Sequence, residues 1–302
     1  MISNIMVIKH GALGDIIQGL DAFASLRATF PAAHIQVLTT PAFAPFMDKM
    51  PYFDDILIDH RAKFWQISHL RSVSQMFSRN LDIVIDMQCS SRTERYHKWL
   101  VPKGTRWFGT ARGCSDPYPD FTKVNNRDRM LSPVLTLGGK SVQADLSFLG
   151  ADTLNAFDLR SSYAVLMPGC SPAKPSKKWP ASHYADLADK LHKDGLVPVV
   201  VGTKHDEQAC HIISSAHDFV INLCGRTDLP TLASLCAGAA YCIGNDSGPV
   251  FLAAKTGAPT MMVMGPDTNP DMSAPHGPKA TYLKADDLSE LSATDLYHSL
   301  KR

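Results

Sequence analysis

The chain has 302 residues, 45% of them apolar and 20% charged, with 30 basic against 29 acidic side chains and a formal net charge of +1. That balance describes an ordered globular protein, excludes disorder as the main state, and supplies no general field for nucleic acid or an anionic bilayer. The length suits two domains, each burying its own core.

The first segment, Asn4 to Lys9, is a nearly continuous apolar run of the kind found in a parallel strand covered on both faces. A turn follows, His10-Gly11-Ala12-Leu13-Gly14-Asp15. From Asp15 onward, Ile16, Leu20, Phe23, Leu26 and Phe30 recur at helical steps until Pro31 stops them. Ile35–Leu38, Asp55–Ile58 and Leu81–Asp86 read as further strands, so the first half is α/β. Between Gly104 and Leu159 the periodicity weakens under repeated Gly and Pro, which points to a domain border near residue 155.

A second alternation then begins. Strands are expected at Tyr163–Met167, Val197–Val201, Val220–Leu223, Tyr241–Ile243 and Thr260–Met264. Between them fall helices Ser182–Lys193, Glu207–Ser214, Leu229–Ala237 and Pro249–Thr256. Strands joined by helices run parallel, so residues 156–302 form a second Rossmann-like domain beside the first at 1–155, and two such domains facing each other would make a cleft.

The longest apolar runs, such as Leu196–Val201, fall far short of the roughly 20 residues a bilayer requires. The amino terminus enters a strand without the layout of a secretory leader, so a cytoplasmic location is expected. Seven cysteines include no Cys-x-x-Cys pair and suit neither a disulfide framework nor a zinc knuckle; most read as buried thiols.

In an open parallel sheet the ligand crevice lies beyond the carboxyl ends of the strands. Four turns there have unusual composition. The first carries Asp15, either a helix cap or a carboxylate available as a general base. The second, Pro168-Gly169-Cys170-Ser171 followed by Lys177 and Lys178, reads as a phosphate site or as a proline-stiffened surface loop. In the third, Gly202 to Glu207, an acidic side chain would accept from ribose hydroxyls or favour a helix amino terminus. The fourth, Gly244-Asn245-Asp246-Ser247-Gly248-Pro249, aims free amides at the opening of a helix, where a diphosphate is attracted. Three such turns in one domain argue for a nucleotide. There is no Gly-x-Gly-x-x-Gly, which disfavours an oxidoreductase, no full Walker-type Gly-x-x-x-x-Gly-Lys-Ser, since Gly139-Lys140-Ser141 has Val134 in place of the first glycine, and no Asp-x-Asp triplet to hold a divalent metal against a diphosphate.

These segments together resemble glycosyltransferase family 9, the heptosyltransferases. The resemblance is carried by His10 to Ile17, Phe30-Pro31, Asp86-Met87-Gln88, Lys177-Lys178-Trp179-Pro180, Leu223 to Thr227, Gly244 to Pro249, Gly257-Ala258-Pro259 and Gly265-Pro266. It implies a GT-B fold and an inverting, metal-independent transfer of heptose from ADP-heptose to a hydroxyl of the lipopolysaccharide inner core, with no resident cofactor. Asp15 matches the family's base. Ser171, Lys177 and the amides of Ser247 and Gly248 would stabilise the leaving diphosphate. Glu207, rather than Asp206, would hold the ribose, Arg226 would belong to the donor site, and Asp246 would position the turn or the sugar hydroxyls.

An acceptor bearing carboxylates or phosphates calls for basic groups in the first domain. Lys9, Arg61, Lys63, Arg92 and Arg112 are the candidates, each alternatively a solvated surface charge. A lipid-linked acceptor implies peripheral contact with the inner membrane. One departure is Phe251, where many family members carry histidine. The alternatives are a relative using another nucleotide-sugar, or an inactive nucleotide-sugar-binding protein.

Overall fold

The computed structural model describes residues 2–63, 66–78, 80–118, 121–150, 157, 159 and 162–301, so the expected border at residue 155 lies outside the described residues. The chain divides into two compact units, Met1–Phe148 and Leu149–Arg302.

In the first unit the elements run β1 (Asn4–Ile8), α1 (Leu13–Thr29), β2 (His34–Thr39), α2 (Ala44–Met47), β3 (Asp55–Ile58) and α3 (Ile67–Phe77). They continue with β4 (Ile83–Asp86), α4 (Ser91–Trp99), β5 (Arg106–Gly109), β6 (Asp116–Pro117) and α5 (Asn126–Thr136). The strands form one parallel sheet in the order β3-β2-β1-β4-β5-β6. Ile5 to Ile8 are fully buried, as a strand covered on both faces requires. Strand order reverses between β1 and β4, which makes their carboxyl ends the unit's switch point.

The helix expected from Asp15 begins two residues earlier, at Leu13, and its N-cap Ala12 offers no side-chain hydrogen bond. Asp15 therefore stands inside the first turn and does not cap it. Two helices that the sequence pattern did not announce, α4 just before the stretch of weak periodicity and α5 within it, are obscured for local reasons. Helix α4 is polar along most of its length and buries Thr93 and Tyr96, while α5 carries Pro133 in its interior.

The second unit runs β7 (Tyr163–Met167), α6 (Ala181–Lys193), β8 (Val197–Val200), α7 (Glu207–Ser215), β9 (Ile221–Asn222), α8 (Leu229–Ala237) and β10 (Tyr241–Asn245). It ends with α9 (Gly248–Lys255), β11 (Thr260–Met264), α10 (Pro270–Ser273), β12 (Ala280–Lys284) and α11 (Ala293–Leu300). Its parallel sheet has the order β12-β11-β10-β7-β8-β9, the same topology as the first. The switch point falls between β7 and β10. On one face a core of Leu166, Trp179, Tyr184, Leu187 and Val263 holds α6 against the strands.

Candidate active site

At the first switch point a group of polar side chains is buried behind β1 and β4. Lys9, immediately after β1, is 2% exposed; its Nζ donates to the Met87 carbonyl at 3.3 Å and lies 3.6 Å from Asp15 Oδ2. Burial pushes its ammonium below the usual lysine value, and the charge of Asp15 is the chief influence opposing that shift. Asp15 is itself 42% exposed. Its Oδ1 accepts from Asn126 Nδ2 at 3.3 Å, and Asn126 Oδ1 in turn accepts from Arg129 Nη2 at 2.6 Å. Arg129, also buried, donates to the Met87 carbonyl at 3.3 Å and to Cys89 Sγ at 3.1 Å.

A second buried set lies beside this one. Asp59, after β3, accepts from Tyr96 OH at 2.6 Å and approaches His10 Nε2 at 3.2 Å. Burial lowers the His10 imidazole to about 4, with Asp59 opposing, so the ring is neutral at physiological pH. Arg92 donates to Tyr96 OH and to the carbonyls of Arg61 and Ala62, all within 2.8 Å. At the end of β4, Asp86 is 1% exposed and burial raises its carboxyl to about 6. Its Oδ1 accepts from the amides of Gln88 and Cys89.

The basic groups expected to meet an acceptor therefore separate by environment. Lys9 is interior and faces Asp15, and Arg92 spends its fork on the Asp59 set and the loop after β3. Arg61, Lys63 and Arg112 are exposed. Sequence reasoning missed Asn126, Arg129, Asp59 and Tyr96. The Asn126-x-x-Arg129 spacing, one helical turn, was a readable signal; pairing across strand ends was not.

In the second unit, the turns after β7 and β10 are tied together by Asn245. This fully buried side chain accepts from the Trp179 amide at 3.1 Å and Tyr184 OH at 3.0 Å, and donates to the Pro168 carbonyl at 2.6 Å. Asp246, next along, accepts from Lys177 Nζ and from Thr268 Oγ1 at 2.9 Å. Ser247 and Gly248 open α9, with Ser247 in extended conformation and Pro249 in the first turn, so the early amides of the helix have no side-chain cap.

Ser171 is exposed on the turn after β7. Asp206 is drawn into a capping box, its carboxylate accepting from the amide and hydroxyl of Thr203 at 2.9 and 2.8 Å, while Glu207 begins α7 exposed. An added Cβ at Gly169 would sit 2.6 Å from the Asp206 carboxyl carbon, so these two turns pack too closely for any larger residue. Arg226 is exposed and lies over the Phe157 ring at 5.6 Å. Phe251, at the position of the family histidine, is packed into the unit's interior on α9.

Two parallel six-stranded sheets of the same Rossmann topology, the first with a half-exposed carboxylate beside its switch point, have the architecture of the GT-B class. The sequence model of glycosyltransferase family 9 (heptosyltransferase) matches residues 124–300. Lipooligosaccharide heptosyltransferase 2 of Haemophilus influenzae is 32% identical, over 93% of this chain and 88% of its own length. Lipopolysaccharide heptosyltransferase 2 of Escherichia coli K12 is 24% identical over the same shares. The chain belongs to glycosyltransferase family 9, the heptosyltransferases, as the sequence motifs implied.

Among solved structures, E. coli ADP-heptose lipopolysaccharide heptosyltransferase II gives a TM-score of 0.77 at 21% identity, covering 99% of this chain and 97% of that one. An E. coli heptosyltransferase solved with ADP gives 0.78 at 19% identity, covering 99% of both. Among the described residues no helix is long and apolar enough to cross a membrane.

Proposed function

We propose that this chain transfers heptose from ADP-heptose to a hydroxyl of the lipopolysaccharide inner core, with inversion and without a metal, Asp15 being the general base. The observation that carries the reading is the setting of Asp15: a half-exposed carboxylate in the first turn of α1, backed by a buried ammonium at 3.6 Å and oriented by an amide at 3.3 Å. A base needs access on one side and fixed geometry on the other.

In the reaction the acceptor hydroxyl gives its proton to Asp15 as its oxygen bonds to the anomeric carbon. The bond from that carbon to the diphosphate breaks on the opposite face, and ADP leaves with the electron pair. Lys177, Ser171 and the amides of Ser247 and Gly248 would meet the growing charge, each such donor lowering the barrier by on the order of 3 kcal/mol. Lys177 gives one of its three N–H groups to Asp246, which leaves it able to donate elsewhere. Glu207 would take the ribose, Arg226 the remaining donor contact, and Arg61, Lys63 and Arg112 the acidic acceptor. The reading places the reaction in the cytoplasm, with peripheral contact at the inner membrane for a lipid-linked acceptor.

The test is ADP release from ADP-heptose with a truncated core acceptor, in the presence of EDTA, with the product anomer assigned by NMR. Turnover with inversion is expected, and Asp15→Asn should lower kcat by at least a thousandfold. Full activity of that variant would sink the assignment of the base. The burial of Phe251 favours a second reading, a relative with another nucleotide-sugar. Stabilisation by UDP or GDP in preference to ADP in a thermal-shift series would select it.

A further inference from the structure

We propose that Asn126 is a positioning residue for Asp15, its side-chain amide locked by Arg129 in the one orientation that presents the NH2 group to the carboxylate. The inference rests on the proposed role of Asp15 as base and deepens it. An arginine can only donate and an ionised aspartate can only accept, so an amide lying between them has its two ends assigned by chemistry. Arg129 Nη2 donates to Asn126 Oδ1 at 2.6 Å, and Nδ2 is then the end that reaches Asp15 Oδ1 at 3.3 Å. A flipped amide would set NH2 against guanidinium and oxygen against carboxylate, two repulsive contacts at once.

The frame that holds the amide is independent of the amide itself. Asn125 caps α5 by accepting from the Arg127 amide at 3.0 Å, which fixes where Asn126 leaves the helix. Arg127 Nε donates at 2.8 Å to Asp21 on α1, a buried carboxylate that also accepts from the Ala144 amide at 2.8 Å. Helices α1 and α5 are thereby clamped two turns below the Asp15 contact. Arg129 is anchored in turn by Met87 and Cys89.

The consequence is chemical. Asp15 Oδ1 is occupied by the amide, while Oδ2 has Lys9 at 3.6 Å, too distant for a strong hydrogen bond. Oδ2 is therefore the oxygen left to receive the acceptor proton, and the carboxylate plane is set by Asn126. The charged and titratable groups around this pair are Lys9 from the end of β1, Arg129 from α5, Cys89 after β4, and Asp86 against Arg129. Arg127 and Asp128 pair with each other on α5.

The experiment compares the parent chain with Asn126→Asp, Asn126→Ala and Asp15→Asn, using ADP release across pH and thermal melting to verify folding. A carboxylate at position 126 disfavours a second negative charge beside it. Asn126→Asp should therefore move the acidic limb of kcat/KM upward by about one pH unit. Its kcat should fall tenfold to a hundredfold, the magnitude expected of a misplaced base, with KM unchanged. Asn126→Ala, which removes the donor without adding charge, should move the limb the same way by less, and carries the test if the aspartate variant does not fold.

An inactive Asp15→Asn together with unshifted profiles in both Asn126 variants would overturn the positioning role and leave the base assignment standing. A fully active Asp15→Asn would overturn both.

Discussion

Lys177 and Asp246 stand 69 residues apart in sequence, one in the loop after β7 and the other just past β10, and their ion pair joins the two turns on either side of the second switch point. Asp246 is nearly buried and Lys177 about one-fifth exposed, so the pair is shielded from much of the solvent that weakens surface salt bridges. Thr268 adds a second donor to the same carboxylate oxygen. Asp246 thus fixes how Lys177 is presented.

Replacing Asp246 by Ala strands that lysine and the Thr268 hydroxyl. A loss of about 1–3 kcal/mol in stability is expected from the unpaired groups. If Lys177 serves the diphosphate, kcat/KM for the donor should fall at least tenfold. Asp246→Asn keeps an oxygen for Thr268 and should melt closer to the parent while remaining slow. Thermal melts and donor-titrated kinetics on both variants separate the two effects, and parental kinetics in Asp246→Ala would rule out the presentation of Lys177 by this carboxylate.

The α/β alternation was legible because its signals are local. Val7, Val165 and Val263 belong to strands buried on both faces, and such runs are nearly continuous in apolar residues. The turn residues Asp246 to Pro249 were legible for the same reason, as a proline in a first helical turn preceded by small residues has few other uses. The setting of Asp15 was not. Lys9, Asn126 and Arg129 converge on it from β1 and α5, and nothing in the sequence around Asn126 announces a neighbour 111 residues away. Lys9 read as a cation for an acidic acceptor because burial is a property of the sheet and not of the residue; the fold turns it inward beneath Asp15.

That inward position yields a sharp distinction. A lysine that binds an acceptor controls KM, whereas one that supports the base controls kcat. Lys9→Met keeps the length of the side chain and removes the charge. It is expected to lower kcat about a hundredfold with the acceptor KM unchanged, and to leave the melting temperature equal or higher, since a buried ammonium is costly to desolvate and the carboxylate it leaves behind, 42% exposed, is still solvated. A raised acceptor KM at parental kcat would return Lys9 to the acceptor site.

Two buried titrations in the first unit act on stability with opposite sign. Burial raises Asp86 from 3.8 to about 6, so between those values the folded chain holds a proton that the unfolded chain has released. Ionised Asp86 then opposes folding above pH 6, and that penalty, about 3 kcal/mol by linkage, fades as pH falls toward 3.8. Burial lowers His10 from 6.5 to about 4, so the unfolded chain takes up a proton there that the folded chain refuses, and stability is lost as pH falls through that window. Asp86→Asn removes the first contribution and leaves the second. Its gain in stability between pH 5 and pH 8 should exceed that of the parent by on the order of 1–2 kcal/mol, read as a wider difference in melting temperature. Parallel pH dependences in parent and variant would show that Asp86 does not titrate in this range.

Gly244 supplies a test of the second switch point that needs no substrate. It lies on β10 where the strand passes β7, and a Cβ built there would come within 2.6 Å of Val250 Cγ2, 2.7 Å of Met167 Cβ and 2.8 Å of the Met167 carbonyl. Two of these three neighbours belong to a buried strand that cannot move aside without breaking the ladder. Gly244→Ala should therefore destabilise by overpacking, about 1–3 kcal/mol, and push β10 away from β7 where Asn245 ties the strands together. Gly195 makes a useful control, since its φ of +82° strains an alanine while an added Cβ there meets nothing within 4 Å. Gly195→Ala should cost about 1 kcal/mol of backbone strain and leave stabilisation by ADP intact. Gly244→Ala should lose part of that stabilisation as well, because Asp246 and Ser247 follow directly from the displaced strand. Equal ADP responses in the two variants would mean that the ligand does not sense the β7–β10 junction.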